Sequence, residues 1–179
     1  MIEEKIFLVN NVLTDRLNKT IMGLLCIQEN WLIAKDFGDQ IINLEENTTV
    51  GMTLRTLQEN KISNNTNFNV LNTYALVIAE LVCKTLDIKY RNPQRFYWNY
   101  YKPGERGQYH EDLQGSPNKN LISILYALNT TDGYVEFEKD GRYPDVSGQA
   151  KVFRCTQKHR GVGPVKDKVR FNLNIVLEL

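Results

Sequence analysis

Lys168-Val169-Arg170-Phe171-Asn172-Leu173-Asn174-Ile175-Val176-Leu177 reads as one strand with two unlike faces. Side chains alternate across a strand, so Val169, Phe171, Leu173, Ile175 and Leu177 share one side. Lys168, Arg170, Asn172 and Asn174 share the other. The apolar side asks to be packed on helices. The polar side of so regular a strand needs a wet pocket, such as the interior of a barrel. Helices are available upstream: Thr14 is an N-cap for a helix through about Cys26, and Val70 to Leu86 keeps near-helical apolar spacing. Lys5 to Val9 and Trp31 to Lys35 read as short strands in the same half. At Pro93 the character changes to short aromatic or β-branched runs separated by turn residues. The expected strands are Arg95 to Tyr101, Tyr109 to Leu113, Leu121 to Leu128, Tyr134 to Glu138, Ala150 to Arg154 and Val169 to Leu177. Helices followed by closely spaced strands predict an α+β, mainly β fold: a barrel or sandwich with the N-terminal helices on one outer face.

Composition narrows the rest. With 179 residues, 42% apolar and 24% charged, the chain has globular proportions and is expected to form a single domain over 1–179, a helical preface over about 1–92 and a β core over about 93–179. A net charge of +1 gives no field that would draw in nucleic acid, so a nucleic-acid partner is not expected. Three scattered cysteines make neither a disulfide framework nor a CxxC knuckle. Acids follow Met1, and no apolar run approaches the ~18 residues of a membrane span, so the expected setting is soluble and cytoplasmic, with no membrane contact.

The chain has only two histidines, His110 and His159. On a strand, His110 and Asp112 point to one side and Glu111 to the other. With His159 they make two imidazoles and a carboxylate, the set that holds non-haem Fe(II) and leaves coordination positions open. An Asp–His hydrogen bond at a surface turn is the alternative. Arg170, eleven residues after His159, lies on the polar face of the last strand, and a guanidinium facing inward needs an anion. That anion is a ligand carboxylate or, alternatively, Asp112 or a surface glutamate. Tyr97, Asn99 and Tyr101 share one strand face and offer it hydroxyl and amide partners, or serve as core filler.

In order, these residues resemble the Fe(II)- and 2-oxoglutarate-dependent dioxygenases, in particular their prolyl 4-hydroxylase-like group. The resemblance runs from about Arg95 to the end. It is carried by Tyr101-x-x-Gly104 with His110 and Asp112, by Leu125-Tyr126-Ala127-Leu128-Asn129, by Asp132-Gly133-Tyr134-Val135-Glu136-Phe137, by Pro144 and Gly148, and by His159, Val162, Pro164-Val165 and Arg170. It implies a double-stranded β-helix (a cupin-like jelly-roll), with His110, Asp112 and His159 on iron. Arg170 would hold the distal carboxylate of 2-oxoglutarate, with Tyr101 and then Tyr97 as further contacts. Dioxygen would be the co-reactant, and ascorbate would be a possible reductant. The implied reaction is hydroxylation of a protein or peptide side chain, above all proline, with decarboxylation of 2-oxoglutarate to succinate. Gly104 to Tyr109, Gly115 to Asn120 and Asp140 to Gly148 would line the opening, and Arg160 and Trp98 are candidate substrate contacts.

Three positions depart from the pattern. Ala127 replaces a tyrosine, Asp132 replaces the first of two glycines, and His159-Arg160-Gly161-Val162 carries one extra residue, which predicts a bulge. Within that resemblance Asp112 argues against a halogenase, because in the related halogenases a small residue stands there. Asn99-x-Tyr101-x-x-Gly104 and Arg170-Phe171-Asn172 are partly similar to nucleobase demethylases, but Val176 stands where their second arginine would be. A free amino acid is another possible substrate. A non-catalytic metal-binding interaction module is the alternative of a different class, although Cys155 has no second thiol beside it to close a structural site. Oligomeric state is not legible.

Overall fold

The computed structural model describes residues 5–29, 31–33, 51–58, 61–62, 68–112 and 120–179. Its elements are β1 (Phe7–Val9), α1 (Asp15–Cys26), β2 (Leu32–Ile33), β3 (Met52–Gln58), β4 (Lys61–Ile62), α2 (Phe68–Thr85) and β5 (Asn92–Tyr101). They continue with β6 (Leu121–Ala127), β7 (Thr131–Phe137), β8 (Gly141–Asp145), β9 (Ala150–Arg154), β10 (His159–Val162) and β11 (Arg170–Glu178). Thr14 caps α1 as expected: its extended backbone leaves the hydroxyl free to accept from the Leu17 amide.

An eight-stranded sheet in the order β1-β9-β6-β11-β5-β3-β2, with β4 on β3, faces a three-stranded sheet in the order β10-β7-β8. Residues 104–110 run along the outer edge of β10: Arg106 bridges Val162, His110 bridges His159, and the Gly107 amide donates to the Gly161 carbonyl at 2.9 Å. The small sheet therefore gains an irregular fourth member. From β5 onward the chain passes from the large sheet to this run, back to β6, across to β7 and β8, back to β9, across to β10 and back to β11. That path is a jelly-roll, the double-stranded β-helix expected of the second half.

The two faces of the large sheet separate core from site. Phe96, Trp98, Ile122, Ile124, Tyr126, Val152, Phe171, Leu173, Ile175 and Leu177 pack with Ile21 and Leu25 of α1 and with Leu71, Ala75, Ile78 and Val82 of α2. The opposite face carries Arg95, Tyr97, Asn99 and Tyr101 on β5, Ser123 on β6, Lys151 on β9, and Arg170, Asn172 and Asn174 on β11. Trp98 is fully buried on the helix side of the sheet, so it is not a substrate contact. Trp98→Ala is expected to lower unfolding free energy by about 3–5 kcal/mol, read by urea denaturation.

Several sequence expectations need correction. Tyr109 to Leu113 is not a regular strand: His110 makes an isolated bridge, Asp112 lies in a turn, and Leu113 falls outside the described residues, as does most of the Gly115 to Asn120 loop. Asp140 to Gly148 is not all loop, since it contains β8. Pro144 is tolerated there because β8 is an edge strand and needs no amide on its outer side. The extra residue after His159 makes no bulge; His159, Arg160, Gly161 and Val162 pair in unbroken register with Phe137, Glu136, Val135 and Tyr134. The preface also contributes β3, which lies against β5 and was not anticipated.

Candidate active site

The irregular run before β6, which carries His110 and Asp112, lies against the start of β10 and so brings both to His159. The amides of His110 and His159 each donate to the other's carbonyl at 3.0 Å, which fixes the two imidazoles side by side with ring centroids 4.6 Å apart. The Asp112 amide donates to the Cys155 carbonyl, which turns its carboxylate under both rings. One ligand atom from each residue falls within a 4.8 Å cluster. Nε2 of His110 lies 3.8 Å from Oδ1 of Asp112, and Nε2 of His159 lies 3.7 Å from Oδ2.

The donor set fits a divalent metal. Nδ1 of His110 faces the Gln108 carbonyl at 2.9 Å, and Nδ1 of His159 faces the Gln157 carbonyl at 3.0 Å. A carbonyl can only accept, so Nδ1 of each ring carries a proton and Nε2, turned toward Asp112, is the atom left to ligate. Burial first, and the neighbouring His110 after it, pull the His159 pKa down to about 4 against the pull of Asp112. The ring is therefore neutral and free to ligate near pH 7. Burial alone would raise the Asp112 carboxyl; Arg95, both imidazoles and the Ser123 hydroxyl overcome it and hold the group well below the usual carboxylate range. The Asp112 and His159 side chains are closed to solvent, whereas the His110 side chain is 48% exposed, so the centre opens on the His110 side.

A shell that sequence reading missed holds Asp112. Arg95 donates to Oδ1, Ser123 donates to Oδ2 at 2.5 Å, and the Asn174 amide lies 3.3 and 3.2 Å from the two oxygens. Asn174 also accepts from Arg95 at 3.1 Å. Behind Ser123 sits Cys155, its sulfur 3.1 Å from the hydroxyl. Burial pushes that thiol up to about 12, so it stays protonated. Arg95 was detectable in principle, because it shares the strand alternation of Tyr97, Asn99 and Tyr101.

Arg170 is buried on the same inner face of β11 as Asn174, four residues before it, and its charged partner is neither Asp112 nor a surface glutamate. Its Nε donates to Oδ2 of Asp145 at 2.6 Å, while Lys151 Nζ donates to Oδ1 at 3.1 Å. Burial alone would raise the Asp145 carboxyl, and these two cations pull it down instead. Tyr101 lies directly opposite Arg170 in the β5–β11 register, with the guanidinium 5.0 Å from its ring centre. Two glycines make room. A Cβ at Gly133 would meet Arg170 Cδ at 2.9 Å, and one at Gly161 would meet the Tyr101 hydroxyl at 2.5 Å and Arg170 Nη1 at 2.9 Å. This explains why Asp132 can replace the first glycine of its pair while Gly133 stays. The Asp132 carboxylate accepts the amides of Val165, Lys166 and Asp167, which ties down the segment leading to β11.

The structure separates the remaining candidates from Arg170. Tyr97 lies four residues from Tyr101 on the same strand, roughly 13 Å away along it. Its ring is flanked by Arg95 at 4.7 Å and Arg55 at 5.4 Å, so it belongs to the Asp112 end and not beside Arg170. Arg160 alternates with His159 and points away from the metal cluster. It donates to Glu136 at 2.7 Å and covers the Tyr109 ring at 4.3 Å, so that ion pair already engages it.

A scan against protein-family models and a search of curated proteins both find no match. Solved structures do match. A Pseudomonas putida prolyl-4-hydroxylase superposes with a TM-score of 0.66 at 13% identity, covering 97% of this chain and 91% of that one. A 2OG-Fe(II) oxygenase family oxidoreductase from Burkholderia pseudomallei gives 0.68 at 13% identity, covering 97% and 84%. A prolyl hydroxylase from Trichoplax adhaerens, solved with a peptide fragment of the hypoxia inducible factor oxygen degradation domain, gives 0.69 at 11% identity, covering 98% and 84%. No described helix is long and apolar enough to cross a membrane. The chain has the fold of the 2OG-Fe(II) oxygenases in its prolyl-4-hydroxylase-like form.

Proposed function

We propose that the protein is an Fe(II)- and 2-oxoglutarate-dependent dioxygenase that hydroxylates a prolyl side chain in a protein or peptide. The observation that carries the reading is that one jelly-roll holds both the His110–Asp112–His159 cluster and, on the same inner sheet face as the residues around Asp112, the buried Arg170. A ferrous ion in such a site, with 2-oxoglutarate and dioxygen, supplies oxidative decarboxylation to succinate and oxygen insertion into a C–H bond.

The chain's own residues supply the positioning. His110, Asp112 and His159 would hold the metal on one side and leave the rest of its coordination sphere for the reactants. Arg95, Ser123 and Asn174 orient the carboxylate, and the two backbone carbonyls orient the imidazoles. Arg170 would take the distal carboxylate of the cosubstrate with its terminal nitrogens, and the Tyr101 hydroxyl would be the second contact. Burial raises the Tyr101 phenol pKa while Arg170 opposes the rise, so the hydroxyl keeps its proton and can donate. Substrate would approach from the exposed His110 side. Peptide substrates are supported by the peptide-bound Trichoplax neighbour, which shares this fold.

The test is incubation of the iron-loaded protein with 2-oxoglutarate, air and proline-bearing peptides, followed by mass spectrometry. The expected product is a peptide heavier by one oxygen atom on proline, formed in step with succinate. Succinate without any modified peptide across a broad proline-containing set would contradict the peptide assignment.

A further inference from the structure

We propose that Lys151 is a positioning residue that sets the affinity of the Arg170 site for a carboxylate, and with it the preference for a 2-oxo diacid over a 2-oxo monoacid. The inference rests on the reading of Arg170 as the carboxylate anchor and adds to it the source of the attraction. Arg170 alone cannot supply that attraction. Its side chain is 2% exposed and already paired through Nε with Asp145, itself 2% exposed. A guanidinium and a carboxylate in contact carry no net charge, and Asp145 would repel an arriving carboxylate. Lys151 changes the balance. Its side chain is 1% exposed, and it holds the other oxygen of the same Asp145 carboxylate. Among the described residues Asp145 is the only charged group that either cation hydrogen-bonds. Burial pulls the Lys151 pKa down and the contact with Asp145 pulls it back up; with the lysine protonated on that carboxylate, two cations share one anion and the trio carries one surplus positive charge.

A surplus buried cation is costly in an empty protein, and an apolar residue at position 151 would leave Arg170 and Asp145 balanced. One further carboxylate matches the surplus. Lys151 does not need to touch it: the lysine is on Oδ1 of Asp145, while Arg170 reaches Oδ2 through Nε and, beyond its contact with the Asn172 amide oxygen, has one further N–H on each terminal nitrogen for the ligand. One arm of the Asn172 amide lies 3.1 and 3.2 Å from Nη1 and Nη2, which places those nitrogens on the polar inner face with Asn172 and Tyr101.

The experiment is anaerobic calorimetry on the ferrous protein with 2-oxoglutarate and with 2-oxobutyrate, which has the same keto-acid end and no distal carboxylate. The ratio of the two dissociation constants isolates the Arg170 end. Lys151→Met is expected to cut the preference for 2-oxoglutarate about tenfold or more, with ferrous-ion affinity and circular dichroism unchanged. Adding Asp145→Asn restores the surplus charge, now on Arg170 alone, and is expected to return most of the lost preference. A lysine that served packing alone would not be rescued by removing its partner. An unchanged ratio in Lys151→Met, or no recovery in the double variant, overturns the role of Lys151. Wild-type protein that binds the two acids equally overturns the Arg170 anchor itself, a separate and recognisable failure.

Discussion

Asp112→Ala is expected to abolish ferrous-ion binding and, with it, 2-oxoglutarate-dependent succinate formation. The carboxylate is the only anionic member of the cluster, and two imidazoles with no anion beside them are a poor site for a hard divalent ion. The same change carries a stability cost that marks the geometry. Arg95 is buried against Asp112, and removing the carboxylate leaves its charge without a counter-ion in the interior. The expected loss is about 3–5 kcal/mol of unfolding free energy. Arg95→Met added to Asp112→Ala should recover much of the stability and none of the metal binding, because it removes the stranded cation without restoring a ligand. Urea denaturation and anaerobic ferrous titration separate the two effects. Metal binding that survives Asp112→Ala would mean the ion sits elsewhere.

Arg170→Met is the second large effect, and it falls on the cosubstrate without touching the metal. Lys151 continues to satisfy Asp145 after the arginine is gone, so the fold is expected to hold. The remaining Lys151–Asp145 pair is neutral and lacks the fork that grips a carboxylate at two points. Loss of a buried charge-assisted contact of this kind costs about 2–5 kcal/mol, at least ~30-fold in affinity for 2-oxoglutarate. Ferrous-ion affinity should be unchanged. Equal 2-oxoglutarate affinity in the two proteins would show that the carboxylate is held by other residues.

Much of this site was legible because its features are local. Alternation along the last strand put Arg170 on a polar face opposite an apolar one, and the structure places that apolar face on the helices. The scarcity of histidine drew attention to His110 and His159, and both meet Asp112. The same alternation already placed Trp98 opposite Tyr97 and Asn99, so its burial among the helices could have been foreseen. What stayed hidden depends on pairing between distant strands. Asp145 sits in Tyr143-Pro144-Asp145-Val146-Ser147, which has the composition of a turn, and only the curl of the small sheet brings it to Arg170. Lys151 looks like the solvated side of a strand until β9 is seen to be covered on both faces, with β1 on one edge and β6 on the other. Ser123 reaches Asp112 from the next strand, 11 residues on, and Asn174 from the last strand, 62 residues on. No local pattern marks such contacts, because they arise from register and sheet closure.

The most direct test of the central claim is 2-oxoglutarate turnover by the ferrous protein, with succinate measured against oxygen consumed. The account predicts iron-dependent succinate formation that disappears in His159→Ala, in which one of the three ligands is removed. A ferrous wild-type protein that neither binds 2-oxoglutarate nor releases succinate would contradict it.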